Sequence, residues 1–221
     1  MTGRFPGFDV LGQAPHWDQV TKDLIEARVR PSPQAVTFFS DTERGCASAL
    51  LNDLTGQDED APVPVLAMVE ARLAAGQTDG WRYDDMPEDG QAWRDTLGYL
   101  DADAQDRCGT SFAGAAEADR HRLIQAVQDG SGEDWHGLPA KHVWSLWTRY
   151  ACTALYAHPD AWAEIGFPGP AYPRGYLNPG VNAREKWEVN DTADADPVPF
   201  ADRVERARSE HAKLVGDEDR S

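Results

Sequence analysis

The residues of this chain best suited to chemistry are its histidines, since imidazole is both a general base near neutral pH and a common metal ligand. Helical zinc sites place two histidines four residues apart, with a glutamate between them, and no pair in this sequence has that spacing. A histidine beside a carboxylate can instead act as a general base. A free-standing enzyme, with or without a metal, would use His136, His142 or His158, and this interpretation is kept as an alternative.

Other catalytic patterns are missing or incomplete in the sequence. No glycine-rich fingerprint for a dinucleotide or a triphosphate occurs. The segment Gly109–Gly114 resembles a nucleophile elbow, but it has one residue too many before its closing glycine. The carboxylate pairs Asp84-Asp85 and Glu88-Asp89 indicate a solvated acidic surface rather than a tuned acid–base pair. We therefore predict no catalytic residue, no metal and no cofactor in this chain.

Charge and cysteine content narrow the possible partners and the compartment. The 221 residues include 38 acidic and 21 basic side chains, for a net charge of −17, and such a field repels nucleic acid. Three widely spaced cysteines without a CxxC pair indicate reduced thiols. We see no apolar signal segment or twin arginine near the start and no apolar run of membrane-spanning length. A cytoplasmic location without membrane insertion is expected.

Hydrophobic periodicity places these residues on helices. Apolar side chains recur at helical spacing, as in Val20 and Leu24, and Ser40 and Glu43 have the spacing of a capping box. The loop that contains Trp81 and Tyr83 is predicted to fold back onto the core. No strand pattern competes, so the predicted class is all-α, in one domain over 1–221. Its parts are an N-terminal helix and linker (1–37), a helical bundle (38–158), an extended arm (159–199) and a C-terminal helix with a tail (200–221).

The arm combines prolines, glycines and aromatic side chains, a composition that favours turns and polyproline-like backbone over a regular element. Prolines lower the entropy lost on binding, and Trp, Tyr and Arg are the residue types that dominate binding hot spots. A strap packed on the bundle and a docking surface are both compatible with this pattern. The predicted partner-binding residues are Trp162, Ile165, Phe167, Pro168, Pro170, Tyr172, Pro173, Arg174 and Tyr176.

Six sequence runs also carry a resemblance that covers most of the chain. They are 156–159, 162–167 and 169–176 in the C-terminal part, and 38–39, 79–87 and 135–139 upstream. Together they resemble the gluconate 2-dehydrogenase subunit 3 family. Members of that family are small accessory subunits of flavin-dependent sugar or polyol dehydrogenases, and many of them begin with a twin-arginine signal.

The resemblance implies a function in an enzyme complex. The catalytic partner in that family is a separate chain of the glucose–methanol–choline oxidoreductase type, which holds the FAD, while the small subunit aids its folding, stability or export. By resemblance, this chain is a noncatalytic subunit whose arm binds such a flavoprotein. A sugar-binding module that stacks its ligand on Trp81 and Trp135 is the other alternative to this hypothesis.

Overall fold

The computed structural model describes residues 9–29, 36–58, 62–130, 132–173 and 175. By their contacts, the described residues of Val20–Ala161 form one compact unit, and those of Met1–Gln19 and Trp162–Ser221 form another. A 3₁₀ helix, Val10–His16, precedes the α-helices. The remaining elements are α1 (Gln19–Val29), α2 (Asp41–Thr55), α3 (Val65–Ala74), α4 (Asp89–Cys108), α5 (Glu117–Asp129), β1 (Asp134–Trp135), β2 (Leu138–Pro139), α6 (Ala140–Ala157) and α7 (Pro159–Ile165).

The larger unit is a helical bundle around α6, which confirms the predicted all-α class. Helix α6 packs on α2, α3, α4 and α5, because its apolar residues cover a wide face of the helix. Trp147 lies fully buried on that face, and its indole N–H donates to Thr96 Oγ1 of α4 over 3.0 Å. The core therefore satisfies this buried donor while keeping aromatic packing.

The start of α2 follows the predicted capping pattern. The Glu43 backbone N–H donates to Ser40 Oγ, and the Ser40 backbone N–H donates to Glu43 Oε2 over 2.8 Å. Burial raises the pKa of Glu43, but the hydrogen bonds from Ser40 and the charge of Arg94 outweigh burial and hold this pKa below its usual value. The capping box therefore fixes where the bundle begins.

Two local features are not contained in the sequence pattern. Helix α1 forms where the spacing of Val20 and Leu24 predicts a helix, but these two side chains are exposed, whereas Ile25 is buried. Residues 134–139 form a short antiparallel hairpin that the sequence pattern did not indicate. Its turn residues, His136 and Gly137, have φ of 50° and 81°, as the mirror-image turns of tight hairpins require.

His158 ends α6 and starts α7, but not as a cation on the helix dipole. Its side chain is buried, and the Asp160 backbone N–H donates to its Nδ1 over 3.3 Å. Burial lowers the pKa of His158, against the charge of Asp160, which raises it; the charge of Arg28 also lowers it. A neutral imidazole that accepts this hydrogen bond replaces the imidazolium that its position at the helix end favours.

We expect His158 to make folding stability depend on pH. Its pKa in the folded chain lies below the unfolded value, so its contribution is complete above about pH 6.5 and is lost as the pH falls, because the unfolded chain takes up the proton first. Titration of His158 can change the free energy of unfolding by at most about 1.4 kcal/mol per pH unit. His158→Asn retains an acceptor without titrating, so the parent should lose more stability than this variant in urea unfolding between about pH 7.5 and 5.5. Parallel pH profiles would contradict this role.

Candidate functional site

The described part of the predicted arm, 159–173 and 175, begins with a helix rather than with extended backbone. Pro159 occupies the first position of α7, where a missing backbone N–H disturbs no helical hydrogen bond. The helix runs to Ile165, and Gly166 follows with φ of 71°. The prediction of an extended arm was therefore wrong for 159–165, because all the prolines after Pro159 lie beyond Ile165.

The predicted partner-binding residues divide into buried and exposed groups. Trp162 is buried, its ring meets the edge of Phe167 at 5.4 Å, and its carbonyl accepts the Phe167 N–H over 2.9 Å. Ile165 and Tyr172 are 51% and 62% exposed. Pro168 is buried, Pro170 is partly buried and Pro173 is exposed, whereas Arg174 and Tyr176 lie outside the described residues.

The smaller unit fixes the chain just before Tyr172. Gly169 has φ of 80°, and a Cβ at this position would lie 2.7 Å from Cζ2 of Trp17. Only glycine therefore fits against this buried indole. The contact holds this part of the arm against Trp17 of the same unit, and Tyr172 lies beyond it, exposed to solvent. A strap packed on the bundle stays a prediction.

A second group of aromatic side chains lies on the larger unit, in the loop between α3 and α4. The loop was predicted to fold back onto the core, but Trp81 and Tyr83 are exposed and only Met86 of its large apolar side chains is buried. Tyr83 stacks on His142 of α6, with ring centroids 3.6 Å apart and 7° between the planes. The edge-to-face contact of Trp81 with Tyr83 has a centroid distance of 5.1 Å. The aromatic loop is thus anchored on α6 rather than buried beneath it.

Charged groups hold this loop against the bundle. Asp79 forms ion pairs with Arg72 of α3 and Arg149 of α6. Burial raises the pKa of Asp79, but hydrogen bonds and charges from both arginines outweigh burial and hold this pKa below its usual value. The Arg149 guanidinium also lies 5.1 Å from the centroid of the Trp81 ring. Loop, α3 and α6 therefore share one charge network.

The charge network extends into the core through Asp89 and Tyr150. The Tyr150 hydroxyl donates to Asp89 Oδ2 over 2.7 Å, and Arg149 lies 3.4 Å from the same oxygen. Burial, together with the hydrogen bond and charge of Asp89, raises the pKa of Tyr150 far above its usual value. Tyr150 is thus a hydrogen-bond donor at neutral pH, and it supports Asp89 from the core side.

The three histidines considered for catalysis have three separate carboxylate partners. His136 Nε2 lies 2.9 Å from Asp103, and His142 Nδ1 lies 2.8 Å from Asp85. His158 lies 3.6 Å from Asp160. In the described part of the chain, no group of three or more His, Cys, Asp or Glu side chains has an arrangement that could hold a metal ion.

Trp135 is not available as an exposed stacking platform. It is partly buried, and its indole N–H donates to Asp103 Oδ2 over 2.9 Å. Its ring packs edge-on against Trp147, with centroids 5.6 Å apart. Trp81 alone remains of the two tryptophans suggested for sugar stacking.

An open groove of about 660 Å³ lies between α2 and α5. Its buried charge, Asp53, accepts two hydrogen bonds from Arg120, of 2.7 and 2.9 Å, so the two charges neutralise each other. No Phe, Tyr or Trp side chain is among the described residues that line it. The groove therefore lacks the apolar walls typical of small-molecule sites.

Comparison with known proteins identifies the family of this helical chain. The family model for gluconate 2-dehydrogenase subunit 3 matches residues 29–169, which is more than half of the chain. The chain belongs to the gluconate 2-dehydrogenase subunit 3 family. The match confirms the resemblance found in the sequence, and it includes the bundle, the Trp81 loop and the arm as far as Gly169.

Other comparisons add no closer relative to this family assignment. No curated protein and no solved structure matches the chain. The family description is that of a subunit of a gluconate dehydrogenase, so it implies an oxidoreductase partner.

Among the helices of the described ranges, none has the length and apolarity needed to cross a bilayer.

Proposed function

We propose that this chain is a noncatalytic small subunit that binds an FAD-dependent sugar or polyol oxidoreductase and stabilises or matures it. The family match over residues 29–169 carries the proposal, because the family is described as a subunit of gluconate 2-dehydrogenase. The partner would be a large chain of the glucose–methanol–choline type, and the FAD would belong to that chain.

The exposed side chains of the arm support a docking function. Ile165 and Tyr172 expose about half or more of their surface, although both are apolar or aromatic. An arm held at Gly169 by the buried Trp17 presents them with little further loss of conformational entropy. These properties are those of anchor residues at a protein interface.

Affinity purification of the full chain from its native host, followed by an absorption spectrum and a gel, tests the proposal. We expect a yellow complex with flavin bands and one larger companion chain. That companion is then purified separately and mixed with this chain, and the complex should form again. A colourless chain without a companion would overturn the proposed function.

The arm itself is tested by Tyr172→Ala. We expect the affinity for the purified companion to fall about tenfold or more, as for truncated interface anchors. Helicity should be unchanged, because Tyr172 is exposed and lies outside the helices. The affinity is measured by biolayer interferometry.

Tyr156→Ala is the matched control for the arm, because Tyr156 is 52% exposed and lies on α6. It should leave the affinity within about twofold of the parent, as for a residue outside an interface. Equal affinities for Tyr172→Ala and the parent would show that the arm is not the docking surface. The family-based function would then need another interface.

A further inference from the structure

The Trp81 patch is a second exposed surface with the composition of a binding site. We define it as Trp81, Tyr83 and His142 with the neighbouring acids Asp84 and Asp85. Trp81 is 50% exposed, in contrast to Trp93 and Trp147, which are fully buried. The whole patch lies within residues 29–169, the region that the family model matches, whereas Tyr172 of the arm lies outside it.

Contacts beneath the patch keep its aromatic rings in place. The Tyr83 ring lies between two neighbours. It makes an edge-to-face contact with Trp81 and stacks parallel to the ring of His142. His142 is itself oriented by Asp85 at 2.8 Å, and Arg149 lies over the Trp81 ring. Rings that are already ordered lose little entropy on binding, and Trp and Tyr are enriched at interface hot spots.

The shape of the patch favours a macromolecule over a small molecule. The crevice beside Trp81, Met86 and His142 holds only about 10 Å³. Small-molecule sites in proteins have volumes of roughly 300–1,000 Å³. A sugar or cofactor would therefore remain almost wholly in solvent here, while a protein surface could cover the rings.

The charges around the rings define the chemistry of the partner surface. Asp84 and Asp85 are exposed beside Tyr83, and two arginines near them have acidic partners. Arg82 lies 2.5 Å from Glu88, and Arg149 is bound to Asp79. With a net charge of −17 for the chain, the complementary surface is basic. Arginine or lysine can also bind the face of an exposed indole.

We propose that the Trp81 patch is a second docking surface for the oxidoreductase subunit, and that the surface it binds carries arginine or lysine side chains beside an apolar pocket. This inference rests on the proposed function and adds the place and the chemistry of a contact that the arm does not provide. It commits to a protein partner rather than to a sugar.

The test measures the affinity of the full chain for its purified flavoprotein companion at low and high salt. Trp81→Ala should weaken binding about 30-fold, as for a central hot-spot residue. Asp84→Asn should weaken it less, mainly at low salt, because screening removes the contribution of an exposed charge at high salt. Tyr156→Ala and Asp106→Asn, which change exposed residues of α6 and α4, serve as controls and should match the parent.

Hydrogen exchange gives a readout that does not depend on a variant. Backbone amides of 80–86 in the parent chain should exchange more slowly in the complex than in the free chain. Parent-like affinity of Trp81→Ala together with unprotected amides would overturn the inference while leaving the proposed function intact. If the variants bind more weakly but the affinity does not depend on salt, the inference that the partner surface is basic is overturned. If the parent chain binds no flavoprotein, both proposals fail together.

Discussion

Replacing Glu70 with alanine is expected to lower the free energy of unfolding by about 3 kcal/mol, the lower end of the range for a broken buried ion pair. Glu70 lies on α3 and is 0% exposed. Its Oε1 accepts the backbone N–H groups of Phe38 and Phe39 over 3.1 and 3.3 Å, and its Oε2 lies 2.8 Å from Arg44. Alanine leaves those donors without an acceptor and opens a cavity.

The control for this prediction separates the hydrogen bonds from the charge. Glu70→Gln keeps an oxygen for the two backbone donors and removes only the ion pair, so its effect should be about 1–2 kcal/mol. Glu117→Ala removes a largely exposed carboxylate from α5 and should change stability by less than about 0.5 kcal/mol. Urea unfolding followed by circular dichroism measures all three, and a loss below about 1 kcal/mol for Glu70→Ala would contradict the anchoring role.

The anchoring role of Glu70 explains how the chain enters the bundle. Residues 36–39 form no helix or strand, so their backbone donors need partners from elsewhere. Glu70 accepts hydrogen bonds from two of these donors, although it lies on a helix about thirty residues later in the sequence. Arg94 fixes the same segment from its other side, with an Nη2 that donates to the Phe38 carbonyl over 2.7 Å.

Features that depend on neighbouring residues in the sequence were predictable. The capping box of Ser40 and Glu43 fixed the start of α2 within one residue, because cap and partner are three positions apart. The ends of helices α4, α5 and α6 have local signals too, because each helix has a Gly or Pro as one of its caps. These signals are local, and a single sequence contains them.

Features that depend on distant residues were not predictable. Periodicity gave α1 an apolar face with Val20 and Leu24, but only contacts with the rest of the fold decide which face is buried, and Ile25 is buried instead. The position of Trp81 depends in the same way on Arg149, almost seventy residues away. The stacking of Tyr83 on His142 is equally long-range. Sequence spacing has no information on such pairs.

The composition of the arm indicated Ile165 and Tyr172 as partner-binding residues. Both are exposed, and their binding to a partner stays a prediction. The composition did not distinguish these exposed residues from Trp162, which is also of a type common at interfaces but is buried. Burial of Trp162 follows from its contact with Phe167, which the spacing alone does not specify.

Trp147→Ala is expected to lower the free energy of unfolding by about 4 kcal/mol, within the range for removing a buried tryptophan. Trp147 is 0% exposed, packs against Trp135 and donates to Thr96. Thr96→Val removes the acceptor without a large change in volume, so it should lower stability by only about 1–2 kcal/mol. Urea unfolding of both variants measures how much of the effect comes from packing.

The double variant measures the contribution of the hydrogen bond between Trp147 and Thr96. Thr96→Val should have a smaller effect in the Trp147→Ala background than in the parent, because its hydrogen-bond donor is already gone. The effect that remains belongs to the hydrogen bond that the Thr96 hydroxyl donates to the Trp93 carbonyl. A Thr96→Val effect in the parent as large as that of Trp147→Ala would contradict packing as the main contribution of Trp147. His142 and Arg149 are on the same helix as Trp147. Loss of this packing should therefore also weaken binding through the Trp81 patch, whereas Thr96→Val should leave that binding unchanged.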